Sequence, residues 1–281
     1  MVLITNYINK GVENMNSKGI YEQYDDAADL LKFLTSSNVR TSILLSLNES
    51  SKNLGELKRE LNLESSTIIH STNKLEKRNF IFKTGENYTL SQTGKIFTLK
   101  LVNLIKTIDT VKNHDRLWLN HEINGIPEDL LLKIGDLGNS TLVAADSMDI
   151  HKPHTNFIQL LGNVKKMNGV SPVYHPDFPE IIMALISSGA EVQLIVTNPI
   201  LKILNRGILS EVYSKKNFKL YVTDENIKEA FTVADHFFSL GLFIVKGIYD
   251  YSIDLVSDDK DAIAWGNKLF EYYLKKSKKV N

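Results

Sequence analysis

The sequence predicts an α+β domain of the winged-helix type, followed by a larger α/β domain. Between residues 54 and 90, two short helical patterns are followed by a hairpin with glycine in its turn, which is the element order of a winged helix-turn-helix. From about Asp115 onward, short β-rich runs alternate with helical patterns, as in an α/β fold. The 281 residues are 43% apolar, which is enough for two domains that each have a core.

The composition excludes several classes of chemistry. The chain has no cysteine, so it has no disulfide, no thiolate nucleophile and no cysteine-ligated zinc. This agrees with a reducing compartment, and we expect a cytoplasmic protein. The longest apolar run, at residues 240–245, is interrupted by Gly241 and is far shorter than the roughly 20 residues that span a membrane. We therefore expect no membrane partner.

Positive charge is concentrated in one part of the chain. The net charge is +0, but residues 52–112 carry eleven basic and six acidic side chains, a local excess of +5. DNA binding by a protein without overall positive charge requires such a local excess. The excess lies where the winged helix is predicted.

The predicted winged-helix DNA-binding domain covers residues 25–92 and follows a polar N-terminal arm at residues 1–24. Apolar residues recur with a helical period from Asp25 to Leu47, and the period is broken near Ser36, Ser37 and Asn38. Because small polar residues are preferred N-caps, we expect a second helix to begin at this break.

A helix, a short turn and another helix are predicted next, between residues 54 and 77. Asn62 and Glu64 belong to the turn, and Ser65 is placed to N-cap the following helix. The inward seam of that helix is formed by Ile68, Thr72 and Leu75, at the spacing of one helical face. We expect the Thr72 hydroxyl to donate a hydrogen bond to the carbonyl of Ile68.

The opposite face of this helix is the predicted DNA-reading surface. Its hydroxyl, amide, imidazole, aliphatic and amino groups suit base edges, thymine methyl groups and phosphates. The candidate residues are Ser66, Thr67, Ile69, His70, Asn73, Lys74 and Lys77. Any surface helix shows polar residues, but an isoleucine on a face exposed to solvent favours a binding role for Ile69. His70 is interpreted as a groove or phosphate contact, because no second metal ligand lies four residues away.

A hairpin follows, with strands predicted at residues 80–82 and 88–90 and Gly85 in the turn. Lys83 and Tyr88 of this hairpin are placed to contact flanking phosphate or the minor groove. Residues 93–118 then form a helical pattern with a wide apolar face, which we interpret as a linker and dimerisation helix.

Residues 119–281 are predicted to form the α/β regulatory domain, which would bind an effector. Strands are expected at 141–145, 192–197, 218–222, 230–245 and 251–256. Helices are expected at about 154–168, 177–188, 198–213 and 258–276, with Asp258 and Asp259 capping the last one. The lysine-rich segment at residues 275–279 is interpreted as a frayed, solvated tail.

Candidate ligand-binding residues in this domain are His175, Arg206 and His236, which would line a cleft at the carboxyl ends of strands. Each of the three also fits a purely structural role. His151 and His154 lie close together, but Pro153 lies between them and no carboxylate follows at a metal-binding spacing, so we expect no metal. The motifs of phosphate-binding loops, dinucleotide sites and nucleophile elbows are absent from the sequence, so we expect no catalytic residue, no cofactor and no enzyme.

Several segments resemble archaeal, largely methanogen, winged-helix transcriptional regulators that carry a methanogenesis filament-regulator middle domain. The resemblance covers about residues 25–277. It rests on four quoted segments: "PVYHPDFPE" (172–180), "FTVADHFFSLGLF" (231–243), "GIYDY" (247–251) and "LVSDDKDAIAWGNKLFEYY" (255–273).

The resemblance implies a DNA-binding regulator whose second domain has a fold similar to half of a phospholipase D. That superfamily's signature is His-x-Lys, and at His236 the residue two positions on is Phe238, so the resemblance carries over no catalytic residue. The leading hypothesis is a homodimeric transcriptional regulator that binds double-stranded operator DNA and senses a small molecule or a protein partner. The alternatives are a phospholipase D-like phosphodiesterase fused to a nucleic-acid-binding module, and a winged helix that binds proteins only.

Overall fold

The computed structural model describes residues 18–204 and 214–280. The chain divides into two compact units, of which the first ends at Val102 and the second begins at Asn103. Positions 1–17 of the predicted arm, and Arg206 among the candidate ligand-binding residues, lie outside the described residues.

The first unit is an α+β domain with the predicted order of elements. Its helices are α1 (Ile20–Thr35), α2 (Asn38–Glu49), α3 (Leu54–Leu61), α4 (Ser65–Lys77) and the start of α5 (Gln92–Asn113). Its strands are β1 (Lys52–Asn53), β2 (Ile81–Thr84) and β3 (Asn87–Leu90), paired in the order β1-β3-β2. Helix α1 begins at Ile20, so it includes residues 20–24 that the sequence assigned to the arm.

The predicted helix break between α1 and α2 is confirmed. Ser37 is the N-cap of α2, and its hydroxyl accepts a hydrogen bond from the Arg40 amide at 3.4 Å. Helix α3 begins with a capping box, in which Asn53 and Glu56 satisfy each other's amides. It ends at Asn62, whose φ of 51° is left-handed, so the tight turn before α4 is confirmed.

Two local predictions at α4 are wrong. Ser65 is the first helical residue rather than the N-cap, which is Glu64, because the Glu64 carbonyl already accepts the amides of Thr67 and Ile68. The Thr72 hydroxyl donates to the carbonyl of Ile69 at 3.0 Å instead of that of Ile68. A threonine hydroxyl on a helix reaches the carbonyl three or four residues back, and in this helix the shorter spacing is used.

The hairpin β2–β3 is shifted by one or two residues from its predicted strands. Thr84 pairs with Asn87, and the turn between them contains Gly85 at a φ of +60°, a conformation that favours glycine. The core of the unit contains Ile43, Leu44, Leu57, Ile68 and Leu75. The predicted inward seam of α4 is therefore confirmed.

The second unit is an α/β domain around one eight-stranded mixed sheet. Its strands are β4 (Thr141–Ala144), β5 (Lys166–Ser171), β6 (Glu191–Thr197), β7 (Phe218–Thr223), β8 (Glu229–Ala234), β9 (Phe238–Leu242), β10 (Ile253–Ser257) and β11 (Lys278–Lys279). Their order is β11-β7-β6-β5-β8-β9-β10-β4, and only the β5-β6-β7 pairings are parallel. Its helices include α6 (Asp115–Asn120), α7 (Glu128–Leu131), the 3-10 turn Ile134–Leu137, α8 (Lys152–Leu160), α9 (Phe178–Ser187), α10 (Asn198–Leu204) and α11 (Lys260–Lys275).

Both faces of this sheet are buried, as the sequence predicted. Along β6, Ile195 belongs to one core cluster and its neighbours Leu194 and Val196 belong to another. Because successive strand residues point to opposite faces, the two clusters lie on opposite sides of the sheet. The first cluster contains Trp265 of α11, and the second contains Ile182 of α9.

Three predictions in this unit are corrected. The helix expected at 154–168 ends at Leu160, because residues 166–171 are taken into the sheet as β5. The single run at 230–245 is two strands, which turn at residues 235–237. The lysine-rich tail is not frayed, since Lys278 and Lys279 pair with β7 as an edge strand. Asp259 caps α11 as predicted and accepts the Asp261 amide at 2.7 Å.

Helices of membrane-spanning length and apolarity are absent from the part of the chain that the structure describes.

Candidate functional site

Helix α4 presents the predicted DNA-reading residues on its outer face. The residues of this face are all exposed, and they are Ser66, Thr67, Ile69, His70, Asn73, Lys74 and Lys77. Ile68, Thr72 and Leu75 are fully buried on the other side of the helix. The outer face is free to enter a groove because the inner face alone holds the helix on the domain.

Ile69 is 40% exposed although it is a large aliphatic side chain on a polar face. Burial of its apolar surface would release free energy, so its exposure in the free protein fits a residue that contacts a partner. On the hairpin, Phe82 is another large apolar side chain that is 47% exposed. The sequence analysis did not identify it as a candidate contact, because it assigned this residue only to a strand.

The two predicted contacts on the hairpin have different outcomes. Lys83 is exposed at the strand end, and its amino group lies 5.5 Å from the centre of the Tyr88 ring. Tyr88 is only 5% exposed and packs in the core of the first unit. A direct DNA contact by Tyr88 does not fit that burial, because the ring packs in the core of the first unit.

Not all of the basic residues that give the local excess of +5 are available to a partner. Lys52 is 8% exposed, and its amino group binds the Ser46 hydroxyl and the carboxylates of Glu49 and Glu60. The hydrogen bond to Glu60 raises the pKa of Lys52. Lys52 is therefore held in a structural ion-pair cluster, whereas Lys74, Lys77 and Lys83 are exposed and available to a partner.

A second site is a cavity of about 510 Å³ within the second unit. It lies on the face of the sheet that bears Leu194 and Val196 and is closed by residues of α8, α9 and α10. Its wall is mostly apolar and aromatic, and Phe157 and Phe178 are part of it. Cavities of this size and lining accommodate small organic molecules.

The polar groups of the cavity come from neighbouring strands. Thr232 of β8 and Ser239 of β9 are paired in register, and both line the cavity. Asp254 of β10 and Tyr249 line it as well, and both contact the backbone at Gly241: a Cβ there would lie 2.7 Å from Asp254 Oδ1 and 2.0 Å from the Tyr249 hydroxyl.

Asp254 is a partly buried carboxyl group without a counter-ion among the described residues. Burial, and then the nearby charge of Asp250, raise its pKa to about 6. Burial also raises the pKa of the Tyr249 hydroxyl well above its usual value. The sequence analysis gave Asp254 no role. The available signal was a carboxyl residue inside the apolar strand pattern of residues 253–257.

A histidine cluster lines another part of the wall. The rings of His154 and His175 stack with their centres 4.1 Å apart, and His154 Nε2 lies 3.1 Å from Asp177 Oδ2. His175 Nδ1 accepts the Asp177 amide at 3.2 Å. Burial, and then the neighbouring His154, lower the pKa of His175. Sequence spacing had shown no carboxylate partner for His154, because Asp177 reaches it only through the fold.

His154, His175 and Asp177 each offer one ligand atom, and these atoms lie within 4.8 Å of one another. Within the cluster, His154 Nε2 is already engaged by Asp177 Oδ2 and His175 Nδ1 by the Asp177 amide.

The two candidate ligand-binding residues that the structure describes, His175 and His236, lie in different places. His175 lines the cavity. His236 lies in the turn between β8 and β9, where its Nε2 contacts the Leu160 carbonyl at 3.1 Å, and it is not part of the cavity wall. Phe238, in the position of the lysine of a His-x-Lys motif, is completely buried.

The sequence matches two family models, one for each unit. Residues 28–109 match the N-terminal domain, and residues 150–276 match the middle domain, of methanogenesis regulatory protein FilR1. The chain belongs to the FilR1 family. The resemblance expected from the sequence is thereby confirmed, and the two family domains coincide with the winged helix and the α/β sheet described above.

A curated member of the FilR1 family is the methanogenesis regulatory protein FilR1 of Methanothrix harundinacea (strain 6Ac). It is 27% identical to this chain over 263 residues, which cover 91% of the chain and 59% of the relative. The chain thus spans 59% of the length of the curated relative that it matches.

Two solved structures are similar to the chain at lower identity. TrmBL2, described as an archaeal chromatin protein with a novel mode of DNA binding, is 13% identical, with a TM-score of 0.43 over 91% of this chain and 99% of that one. NucT from Helicobacter pylori is 14% identical, with a TM-score of 0.39 over 50% of this chain and 98% of that one. The family assignment rests on the matches to the two family models and to the curated relative.

Proposed function

We propose that this chain is a transcriptional regulator that binds double-stranded DNA through α4. The observation that carries the proposal is the outer face of α4, on which hydroxyl, amide and amino groups surround the exposed Ile69. The family name, methanogenesis regulatory protein, supports the regulatory role. A regulator of this kind would act in the cytoplasm of an archaeal cell.

The elements around α4 support DNA docking. A helix-turn-helix places its second helix in the major groove, and the residues at the start of that helix meet base edges. Ser66 and Thr67 occupy this position, while Lys74 and Lys77 lie in the last turn, where they would meet phosphates. Lys83 would contact the backbone beside the groove from the hairpin.

We propose further that the regulator is a homodimer and that α5 contributes to the interface. Leu104, Ile108 and Val111 recur on one face of α5 at spacings of four and three residues, and each is between 42% and 50% exposed. A second copy would cover this apolar face and supply a second recognition helix. Two such helices would read half-sites about 34 Å apart.

The second unit would be the sensing domain. Its cavity has the volume of a small-molecule site, and a cavity of this kind is unnecessary for DNA binding alone. A ligand that binds one dimer geometry more tightly than another would change operator affinity, typically by about 1 to 3 kcal/mol.

The direct test is salt-dependent DNA binding by the purified chain, measured by fluorescence anisotropy with a randomised duplex library. We expect binding at low salt whose affinity falls linearly with the logarithm of salt concentration, and enrichment of a pseudo-palindromic sequence on repeated selection. Lys74→Ala should weaken binding, whereas Lys268→Ala, at an exposed position on α11, should not. No retention of any duplex at low salt would refute the proposal.

A further inference from the structure

The cavity of the second unit contains a negative group where its size and lining alone would predict a neutral site. Asp254 projects from β10 into a wall made mainly of apolar and aromatic side chains. Its carboxyl group makes no hydrogen bond and no ion pair to any residue that the structure describes. The residue is partly buried, and a carboxylate in a largely apolar wall is costly to ionise without a counter-ion.

Burial raises the pKa of Asp254 to about 6, which still leaves most of the group ionised at neutral pH. Positive charge is missing from its surroundings: none of the described cavity-lining residues is lysine or arginine. His175 does not supply the charge, because burial and the neighbouring His154 and His151 lower its pKa. None of the described lysine and arginine residues therefore supplies a counter-charge to Asp254 at the cavity wall, and a bound cation would supply it.

The surroundings of Asp254 suit an organic cation better than a bare metal ion. The rings of Tyr249 and Tyr251 meet edge to face with centres 4.7 Å apart, and both line the cavity next to the carboxyl group. Aromatic faces attract ammonium groups, and the hydroxyls of Thr232 and Ser239 offer hydrogen-bond partners on the adjoining strands. The remaining wall, with Phe157 and Phe178, would surround an apolar body.

We propose that the cavity binds a small organic cation, an ammonium group on an apolar ring-bearing body, and that the Asp254 carboxylate is its counter-ion. This inference rests on the proposed sensing role of the second unit and names the chemical class of its ligand. Gly241 is part of the site, because only a residue without Cβ leaves room for the Tyr249 hydroxyl and Asp254 above that strand position.

The test is calorimetric titration of the full chain with a series of arylalkyl amines, beginning with 2-phenylethylamine and increasing in size. Each amine is paired with its isosteric alcohol, and 3-phenylpropanoate serves as the anionic analogue. We expect at least one amine to bind about tenfold or more tightly than its alcohol, and the anion to bind more weakly than either. Such a preference is the size of effect that one buried charge-assisted contact supplies.

Asp254→Asn removes the negative charge of the carboxylate and keeps the shape of the cavity. This variant should bind amine and alcohol equally, whereas Asp258→Asn, at an exposed position beyond the same strand, should keep the preference for the amine. Circular dichroism and thermal melting verify that both variants fold. The proposal is overturned if amine and alcohol bind equally to the unaltered chain, if the anion is preferred, if Asp254→Asn keeps the preference, or if none of the amines binds.

DNA binding is measured on the same samples without any amine. Retained DNA binding together with failed amine binding would overturn the ligand assignment alone. Selective amine binding without DNA retention would leave the ligand assignment standing and refute the regulatory proposal.

Discussion

The Tyr249 hydroxyl lies against the backbone of Gly241, where a Cβ would approach it to 2.0 Å. The two residues belong to different segments of the second unit and form part of one cavity wall. Gly241→Ala should therefore force the tyrosine ring to move, with a loss of roughly 1 to 3 kcal/mol in the free energy of unfolding. Urea denaturation measures this loss.

Tyr249→Phe is the matched variant for Gly241→Ala, because it removes the clashing oxygen and keeps the ring. In a double-mutant cycle, Gly241→Ala should cost less in the Tyr249→Phe background than alone. Equal losses in the two backgrounds would show that the hydroxyl does not limit the space at Gly241.

Asp254 makes the stability of the second unit depend on pH. Its pKa in the folded protein is about 6, above the ordinary value of 3.8, so the folded state binds more protons than the unfolded state between these two values. The contribution of Asp254 to stability is therefore greatest below about pH 4 and is lost as the pH rises through 6. Asp254→Asn should remove this dependence and stabilise the ligand-free protein at pH 7 by at most about 3 kcal/mol. Water in the cavity would reduce this gain.

Chemical denaturation at several pH values between 4 and 7 measures the effect of Asp254→Asn. Asp258→Asn is the control, because Asp258 is exposed and should leave the pH profile unchanged. A profile with the same slope in Asp254→Asn and in the unaltered chain would contradict the assignment of this pKa.

Glu229 is a second buried carboxyl group, but it has partners. The Tyr273 hydroxyl and the Lys228 amide donate hydrogen bonds to it, and burial raises its pKa to about 6. Tyr273→Phe should destabilise the protein by about 1 to 3 kcal/mol, because it leaves a buried acceptor unsatisfied. The loss should be larger at pH 7 than at pH 5, since the ionised carboxylate depends more on the donor.

Tyr272→Phe is the matched control for Tyr273→Phe, because the Tyr272 hydroxyl binds the exposed Lys276 and makes no contact with Glu229. Thermal melting at the two pH values compares the variants. Equal destabilisation by both substitutions would contradict the role assigned to the Tyr273 hydroxyl.

On α4, two neighbouring exposed residues should affect DNA binding differently. Asn73→Ala should cost about 1 to 3 kcal/mol and mainly relax the preference at one base position. Lys74→Ala should weaken binding to all sequences and reduce the slope of log affinity against log salt by about 1. Anisotropy titrations with a selected duplex and a scrambled duplex distinguish the two effects. Uniform loss in both variants would mean that this helix does not read sequence.

The exposed apolar face of α5 should determine the oligomeric state. Ile108→Glu should weaken dimerisation by about 1 kcal/mol or more, because it places a charge in an apolar interface. Leu119→Glu, at a residue of α6 that is 77% exposed, is the control for a new surface charge. Light scattering over a range of concentrations reports the dimer fraction. An unchanged dimer in Ile108→Glu, or a monomer in the unaltered chain, would rule out this interface.

Much of the first unit could be predicted from the sequence, because its elements are specified by short-range patterns. The buried seam of α4 follows from the spacing of Ile68, Thr72 and Leu75, and the hairpin turn follows from Gly85. The errors there are small and local. The start of α4 shifted by one residue, and Tyr88 was assigned to the surface although its ring packs in the core of the first unit.

The ligand cavity could not be predicted in the same way. His154 and Asp177 are 23 residues apart in the chain, and their side chains come within hydrogen-bonding distance only after α8 and α9 have packed on the sheet. Likewise, Asp254 meets Gly241 through the antiparallel pairing of β9 with β10. His236, which looked equally plausible in the sequence, lies in a turn away from the cavity.

The sequence by itself determined the order of the elements, the caps at their ends and the outer face of α4, because these depend on neighbours within a few positions. Only the tertiary structure decided that Asp254 is a carboxyl group in a cavity between strands and helices, without a counter-ion among the described residues. The physical reason is that burial and charge pairing are properties of the assembled sheet, whose register brings together residues from distant parts of the chain.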